Sequence, residues 1–384
     1  MDIRHYFDDV NFLEYHNSGS FQWKYTLGEN IEKSTLSLTP ENIHKLDIAI
    51  VGIPFDSAST NTNSGSPDII RKELYQLSKI DGSAEIADFG NLKPAGSLKA
   101  SIQALRDITD YFNESDIVTV IIGGSQDLTI GICEAFKANP FFSFSCIDAS
   151  LDLKKGKEKL NSTNFLSYVF SHQPELFQFN LIGYQSYYVA PEYLRKVNGI
   201  NQHIRLGLLR ENISIAEPVF RNSDVISFDI GGIIHSEAPG SYFHSPNGLR
   251  SEEACQLAEY AGLSNRLKVF GLFGYNSCND LNYVTAKLCS QIIWYFIEGL
   301  SNRTAELPGA RDEFNIYQVE MKSLDKPVVF LKHRLTKRWW MEVPLLNGET
   351  KYFGCSEKEY ELASNNEIPG IWLKYIQKSD EILK

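Results

Sequence analysis

The sequence predicts an α/β protein built on a mainly parallel eight-stranded sheet with helices on both faces. Three observations carry that prediction. From Leu46 to about Leu300, short apolar runs alternate with amphipathic helical segments. The helical segments carry recognisable caps and an apolar stripe at three- and four-residue spacing. Several apolar runs end in glycine or acidic residues, as expected at the carboxyl edge of a parallel sheet.

Taken in order, the strand-like runs are LDIAIVGIPF (46–55), AEIADFG (84–90), IVTVIIGG (117–124) and FFSFSCIDAS (141–150). They continue with LFQFNLIGY (176–184), a short run near His203 to Leu206, DVISFDIGG (224–232) and RLKVFGLFGY (266–275). The first helix is SPDIIRKELYQLSK, where Ser66 is placed to cap and Pro67 occupies the first helical position, at which a missing N–H costs nothing. SLKASIQALRDITDYF, SEEACQLAEYAGL and DLNYVTAKLCSQIIWYFIEGL follow, the last with Asp280 as its expected N-cap. Residues 46–305 therefore form one main domain.

The flanks differ in character. Residues 1–45 are polar, aromatic-rich and without a clear period, an N-terminal extension. Residues 306–384 contain β-type runs, KPVVFLKH and WWMEVPLL, and the hairpin signal Asn347-Gly348, so they read as a β-rich extension packed on the main domain. A competing reading makes this extension an interaction module that displays Trp339 and Trp340.

With 384 residues, 43% hydrophobic and 22% charged, the chain has the composition of a globular protein. A net charge of -11 argues against nucleic acid or anionic membrane as a partner. The one basic cluster, HRLTKR (333–338), reads as a solvated face. No window is apolar enough to cross a bilayer and no signal-peptide core opens the chain, so the expected location is cytoplasmic. The six cysteines lack CxxC spacing and read as free thiols.

Chemistry concentrates at the strand ends. In VIIGGSQDLTIG (120–131) an extended run meets Gly123-Gly124, a pair that lets the chain turn sharply and leaves Ser125, Gln126 and Asp127 at the sheet edge. Asp148 and Asp152 in IDASLDL and Asp229 in SFDIGG end two further strands. If these carboxylates converge, a cation, a lysine such as Lys154 or Lys155, hydrogen bonds or shared protons must balance them. Alternatively they are turn formers and helix caps.

The blocks VGIPFD with GSPDIIR, IIGGSQDLT, IDASLD, SFDIGGIIHSEAPG and FGLFGYNSCND, in that order over residues 46–300, resemble the signature blocks of the arginase, agmatinase and formimidoylglutamase family. The resemblance implies a three-layer α/β/α domain, a two-manganese centre at the strand ends, and assembly as a homo-oligomer. In that family GGDH, DAHxD and SxDxD supply six metal ligands. Here the GGDH histidine is matched by Gln126, the DAHxD residues by Asp148, Ser150 and Asp152, and the SxDxD aspartates by Asp229 and Gly231. The family's substrate-pairing glutamate falls at Gly274 and a nearby motif proline at Ser277. No histidine follows Asp152 before His172, where a proton shuttle would be expected. His235 and His244 are spaced wrongly to replace the missing ligands.

The resemblance thus implies an arginase-fold protein that has lost its binuclear manganese site and is inactive as an amidinohydrolase, with a binding or regulatory role and a small-molecule ligand in the strand-end pocket. No cofactor is expected. The alternative is a formimidoylglutamase-like hydrolase of linear amidines, with one Mg²⁺, Ca²⁺ or Mn²⁺ ion held by Asp148, Asp152, Asp229 and the Gln126 amide oxygen, a hard all-oxygen set.

Overall fold

The computed structural model describes residues 3–8, 23–33, 43–54, 67–82, 84–154, 158–173, 176–197, 201–309 and 311–383. Strands are numbered here along the chain. Two-residue strands β1 (Phe7–Asp8) and β2 (Ile31–Glu32) precede β3 (Ile48–Gly52), β4 (Ile86–Leu92), β5 (Val118–Ile122), β6 (Ser143–Ile147), β7 (Gln178–Tyr184), β8 (Gln202–Arg205), β9 (Val225–Asp229) and β10 (Val269–Phe273). The order across the sheet is β1-β4-β3-β5-β10-β9-β6-β7-β8, with β2 also on β4. The eight strands from β3 to β10 are mutually parallel, and β1 alone runs antiparallel, against β4.

Strand alternation divides the interior in two. Ile48 and Ile50 of β3 join one core, whereas Ala49 and Val51 join the other. This is why the strand reads as an unbroken apolar run: neither face meets water. Helices Pro67–Leu74, Ser251–Gly262 and Val284–Ser301 bury Leu74, Leu257 and Ile292 in the first core. Helices Leu98–Glu114, Thr129–Ala135 and Phe165–His172 bury Ile108, Ile132 and Phe165 in the second. Three layers result, and no described helix is long and apolar enough to cross a membrane.

Helix caps follow sequence chemistry with one instructive departure. Ser97 accepts from Ala100 N at 3.3 Å and opens the helix Leu98–Glu114 as expected. Asp280 also caps, accepting from Thr285 N (2.8 Å) and Ala286 N (2.9 Å), but the N-cap position itself belongs to Tyr283. Asn282 and Tyr283 both take left-handed conformations between them, φ 60° and 56°, and so fold Asp280 back under the helix end. Ser66, the cap expected for the first helix, lies outside the described residues.

Beyond the parallel domain, β11 (Phe314–Val319), β12 (Val328–His333), β13 (Trp339–Pro344) and β14 (Thr350–Cys355) form a four-stranded antiparallel sheet. Asn347-Gly348 turns the hairpin between β13 and β14, with Gly348 at φ 86°. Two helices that strand patterning did not signal, Glu357–Ser364 and Gly370–Leu383, complete this part. Trp339 and Trp340 are 5% and 3% exposed and present no surface for a partner.

This second sheet is fastened to the first domain by buried polar groups. Arg221 donates to Trp339 O (2.9 Å) and Cys355 O (3.0 Å), and its guanidinium lies 4.8 Å from the centre of the Trp340 ring. Asn222 donates to Gly354 O (2.8 Å) and accepts from Gly354 N (2.7 Å), mimicking a strand partner. The basic run 333–338 is not a uniformly solvated face. It turns the β12–β13 hairpin, buries His333, and sends Arg338 to Glu217 (3.1 Å) and buried Glu306 (2.5 Å).

Replacing Asn222 by Ala leaves both backbone groups of Gly354 unpaired in a dry interface, which should cost about 2–4 kcal/mol of stability. Urea denaturation measures the loss, and limited proteolysis should show cleavage moving into 306–384 first. An unchanged midpoint would mean that the interface is held by apolar contacts alone.

Candidate functional site

The turns that build the floor of the site leave the four central strands, β5, β10, β9 and β6, at their carboxyl ends, and the segment after β7 adds part of the wall. After β5, Gly123 and Gly124 adopt φ 88° and 77°, values that side-chain-bearing residues rarely take, and aim Gln126 back under the edge. Gln126 is fully buried in a short 3-10 turn, and Ser125 beside it donates to buried Asp127 at 2.5 Å. Asp148 and Asp152 follow β6, and Asp229 is the last residue of β9.

The four candidates share the floor of one cavity of about 590 Å³. Ser150 ties the β6 loop together. Its N–H donates to Asp148 Oδ1 at 2.9 Å and its hydroxyl to Asp152 Oδ1 at 3.0 Å. Asp229 Oδ1 accepts from Gly231 N at 2.6 Å. The floor-facing end of the Gln126 amide lies 3.0 Å from Asp148 Oδ2 and 3.2 Å from Asp152 Oδ2. With both carboxyls as acceptors that end is assigned as the NH₂, donating to both while its oxygen accepts from Ser227 Oγ at 3.2 Å; a proton on either carboxyl, or a cation between them, would instead select the oxygen there. Thr129 Oγ1 stands 2.8 Å from the same Ser227 oxygen.

Electrostatics at the floor follow from burial and crowding. Burial, with Asp152 next, holds the Asp148 carboxyl well above the ordinary carboxylate range. Burial and then Asp229 push Asp152 up to about 7. Lys154 lines the cavity yet is paired with Glu158 at 3.8 Å, and Lys155 lies outside the described residues. Among the described residues no three His, Cys, Asp or Glu side chains are grouped to hold a metal ion.

The glycines matched to family carboxylates are sterically committed. A Cβ on Gly231 would sit 2.9 Å from both Asp229 Oδ1 and Phe243 Cβ, and one on Gly274, at φ 85°, would sit 2.6 Å from Asp229 Oδ1. His235 and His244 pair with each other, ring centres 4.3 Å apart, and are not among the residues lining the cavity. His172 is exposed and stacks on Tyr168.

Sequence reasoning missed the relay residues Ser227 and Thr129 and the aromatic wall of Tyr188, Tyr193, Tyr242 and Phe243. Ser227 was within reach: two residues before Asp229 on one strand, it must share its face. The wall was not, because Tyr188 and Phe243 meet edge-on at 4.9 Å from loops far apart in sequence.

Fold and site together define an α/β protein whose pocket lies over the carboxyl ends of a parallel sheet. The Arginase family profile matches residues 46–298, and the chain belongs to the arginase family. It is 22% identical over 278 residues to the formimidoylglutamase of Salmonella heidelberg, covering 67% of this chain and 87% of that one. Among solved structures it is similar to formimidoylglutamase from Bacillus subtilis (TM-score 0.63, 17% identity, 75% of this chain and 96% of the other). It is also similar to Trypanosoma cruzi formiminoglutamase with manganese (TM-score 0.62, 17% identity, 77% and 100%). At these identities the structural likeness speaks for the fold.

Because Asp152 binds its proton more tightly in the folded than in the unfolded chain, stability should fall as pH rises from about 4 to about 7. Asp152→Asn removes that fall. In chelator at about pH 8 the variant should be more stable than the parent by roughly 1–3 kcal/mol, and the two should converge or cross in acid. Urea titrations across the pH range measure it, and a parent stability that climbs over the same window would contradict the assignment.

Proposed function

We propose that this chain is a ureohydrolase-fold protein without the two-manganese centre, which binds a small molecule over the strand-end carboxylates in a binding or regulatory role. The observation that carries this reading is the Gln126 amide, one end of which faces Asp148 and Asp152 at 3.0 and 3.2 Å and is assigned as the NH₂ because it meets acceptors. Two-metal hydrolysis needs ions about 3.5–4 Å apart that share and acidify a water, each held by several anionic or imidazole donors.

The residues present do not fit that pair. A neutral amide stands where the resemblance puts one histidine, and Ser150, engaged with Asp152, stands at the other. At Gly231 a carboxylate has no room beside Asp229. The cavity itself suits a ligand of modest size, with polar groups on its floor and aromatic rings on its wall. A cytoplasmic homo-oligomer, with neither nucleic acid nor membrane as partner, belongs to the same proposal, and the net charge of -11 supports the exclusion of polyanions.

One observation favours a second reading: the Salmonella heidelberg relative above bears the name formimidoylglutamase. A single ion at Asp148, Asp152 and Asp229 would then serve a related hydrolase of linear amidines. Assaying the full chain with excess Mn²⁺ on formiminoglutamate, agmatine and arginine separates the two. No turnover above buffer is expected, and hydrolysis with stoichiometric manganese would sink the first reading.

Gln126→His alone should not create activity, because Ser150 and Gly231 still lack donors. Gly231→Asp should lower stability by roughly 1–3 kcal/mol through overpacking against Asp229 and Phe243, measured by thermal melting.

A further inference from the structure

We infer that Gln126 is a built-in substitute for a cation: its two amide hydrogens cross-link Asp148 and Asp152, so the pocket floor keeps its shape without a metal. The inference rests on the reading that no manganese pair is held, and adds what takes its place.

Two arrangements of the same side chain are chemically consistent. With NH₂ toward the floor, the amide donates to Asp148 Oδ2 (3.0 Å) and Asp152 Oδ2 (3.2 Å), and its oxygen accepts from Ser227 Oγ (3.2 Å). Ser227 then spends its single proton on the amide, so the 2.8 Å contact with Thr129 must be a donation from Thr129 Oγ1. Every hydrogen in the chain Thr129, Ser227, Gln126 points toward the carboxylates. With the amide reversed, its oxygen faces two carboxylate oxygens at the same distances, which only an intervening cation or added protons would tolerate.

The surroundings favour the first arrangement. Gln126 is fully buried and held from behind by Ser227, which lies on the same face of β9 as Asp229. Lys154, which lines the cavity, pairs with Glu158 at 3.8 Å and acts on Asp152 through its charge without a hydrogen bond to it. Asp229 Oδ1 accepts from Gly231 N at 2.6 Å, whereas Asp148 and Asp152 are the two carboxyls that the Gln126 amide reaches together. Gln126 is thus a positioning residue.

Melting the full chain in EDTA, in Mg²⁺ and in Mn²⁺ tests the idea. The parent midpoint should be the same in all three. Gln126→Leu should melt roughly 3–6 °C lower in EDTA and regain part of the loss in either cation. Asp152→Asn should raise the EDTA midpoint by more in the Gln126→Leu background than in the parent, since the unbridged repulsion is larger there; a packing role for Gln126 would leave the two changes additive.

Should Gln126→Leu not fold, Gln126→Glu keeps the shape, adds a charge, and should melt in a cation-dependent way. A parent midpoint that rises with Mn²⁺, additive substitutions, or a Gln126→Glu midpoint that ignores cations would each overturn the inference. Turnover by the parent would overturn the functional reading, whereas these melting points judge the amide irrespective of turnover.

Discussion

Three aspartates enter one small volume because parallel strands end at the same edge, and a partly dehydrated floor cannot hold three like charges unbalanced. A protein has few remedies: a bound cation, a basic side chain, a shared proton or directed N–H groups. This chain shows the last two. Asp148 and Asp152 are pushed toward their protonated forms, and amide and backbone N–H groups from Gln126, Ser150 and Gly231 are turned onto the carboxylates. Each donor is short and local, so the site needs no long side chain reaching in from solvent.

The fold does not depend on that solution. Its two cores lie on the faces of the sheet, filled by alternate residues of the same strands, whereas the site occupies only the loops at one end. Chemistry at strand ends can therefore change while the layers stay packed, the general reason one architecture hosts several functions. The second sheet strengthens the point. It is fixed at the opposite ends of β9 and β7: Arg221 and Asn222 precede β9, and Tyr375 of the helix Gly370–Leu383 donates to Gln178, the first residue of β7.

What was legible in the sequence follows from how local its cause is. Seven of the parallel strands, β3 to β7, β9 and β10, could be read because burial on both faces leaves an apolar run that no neighbour needs to explain, whereas β8 is only partly buried and showed as a short run alone. Gly123-Gly124 announced its turn for the same reason. Asp280 was legible as a cap but not its mode of capping, since the left-handed pair Asn282-Tyr283 has no preference strong enough to show in residue type. The run 333–338 misled because charge alone does not reveal that Glu217 and Glu306, distant in sequence, draw Arg338 inward. At the site, residue identities could be read one by one; the direction of the Gln126 amide could not, as it depends on carboxyls of the loop after β6 and on Ser227 of β9.

Those identities are also bound to one another. Asp229 Oδ1 leans on the Gly231 N–H and fills the space that a side chain at Gly231 or Gly274 would need, so the carboxylate position and the two glycines imply each other. Returning a carboxylate to Gly231 would first displace Asp229, and a displaced Asp229 would press on Asp152, whose proton it already helps to retain. Such positions do not respond independently to substitution. The floor therefore behaves as one hydrogen-bonded unit, and its chemistry changes only when several of its members move together.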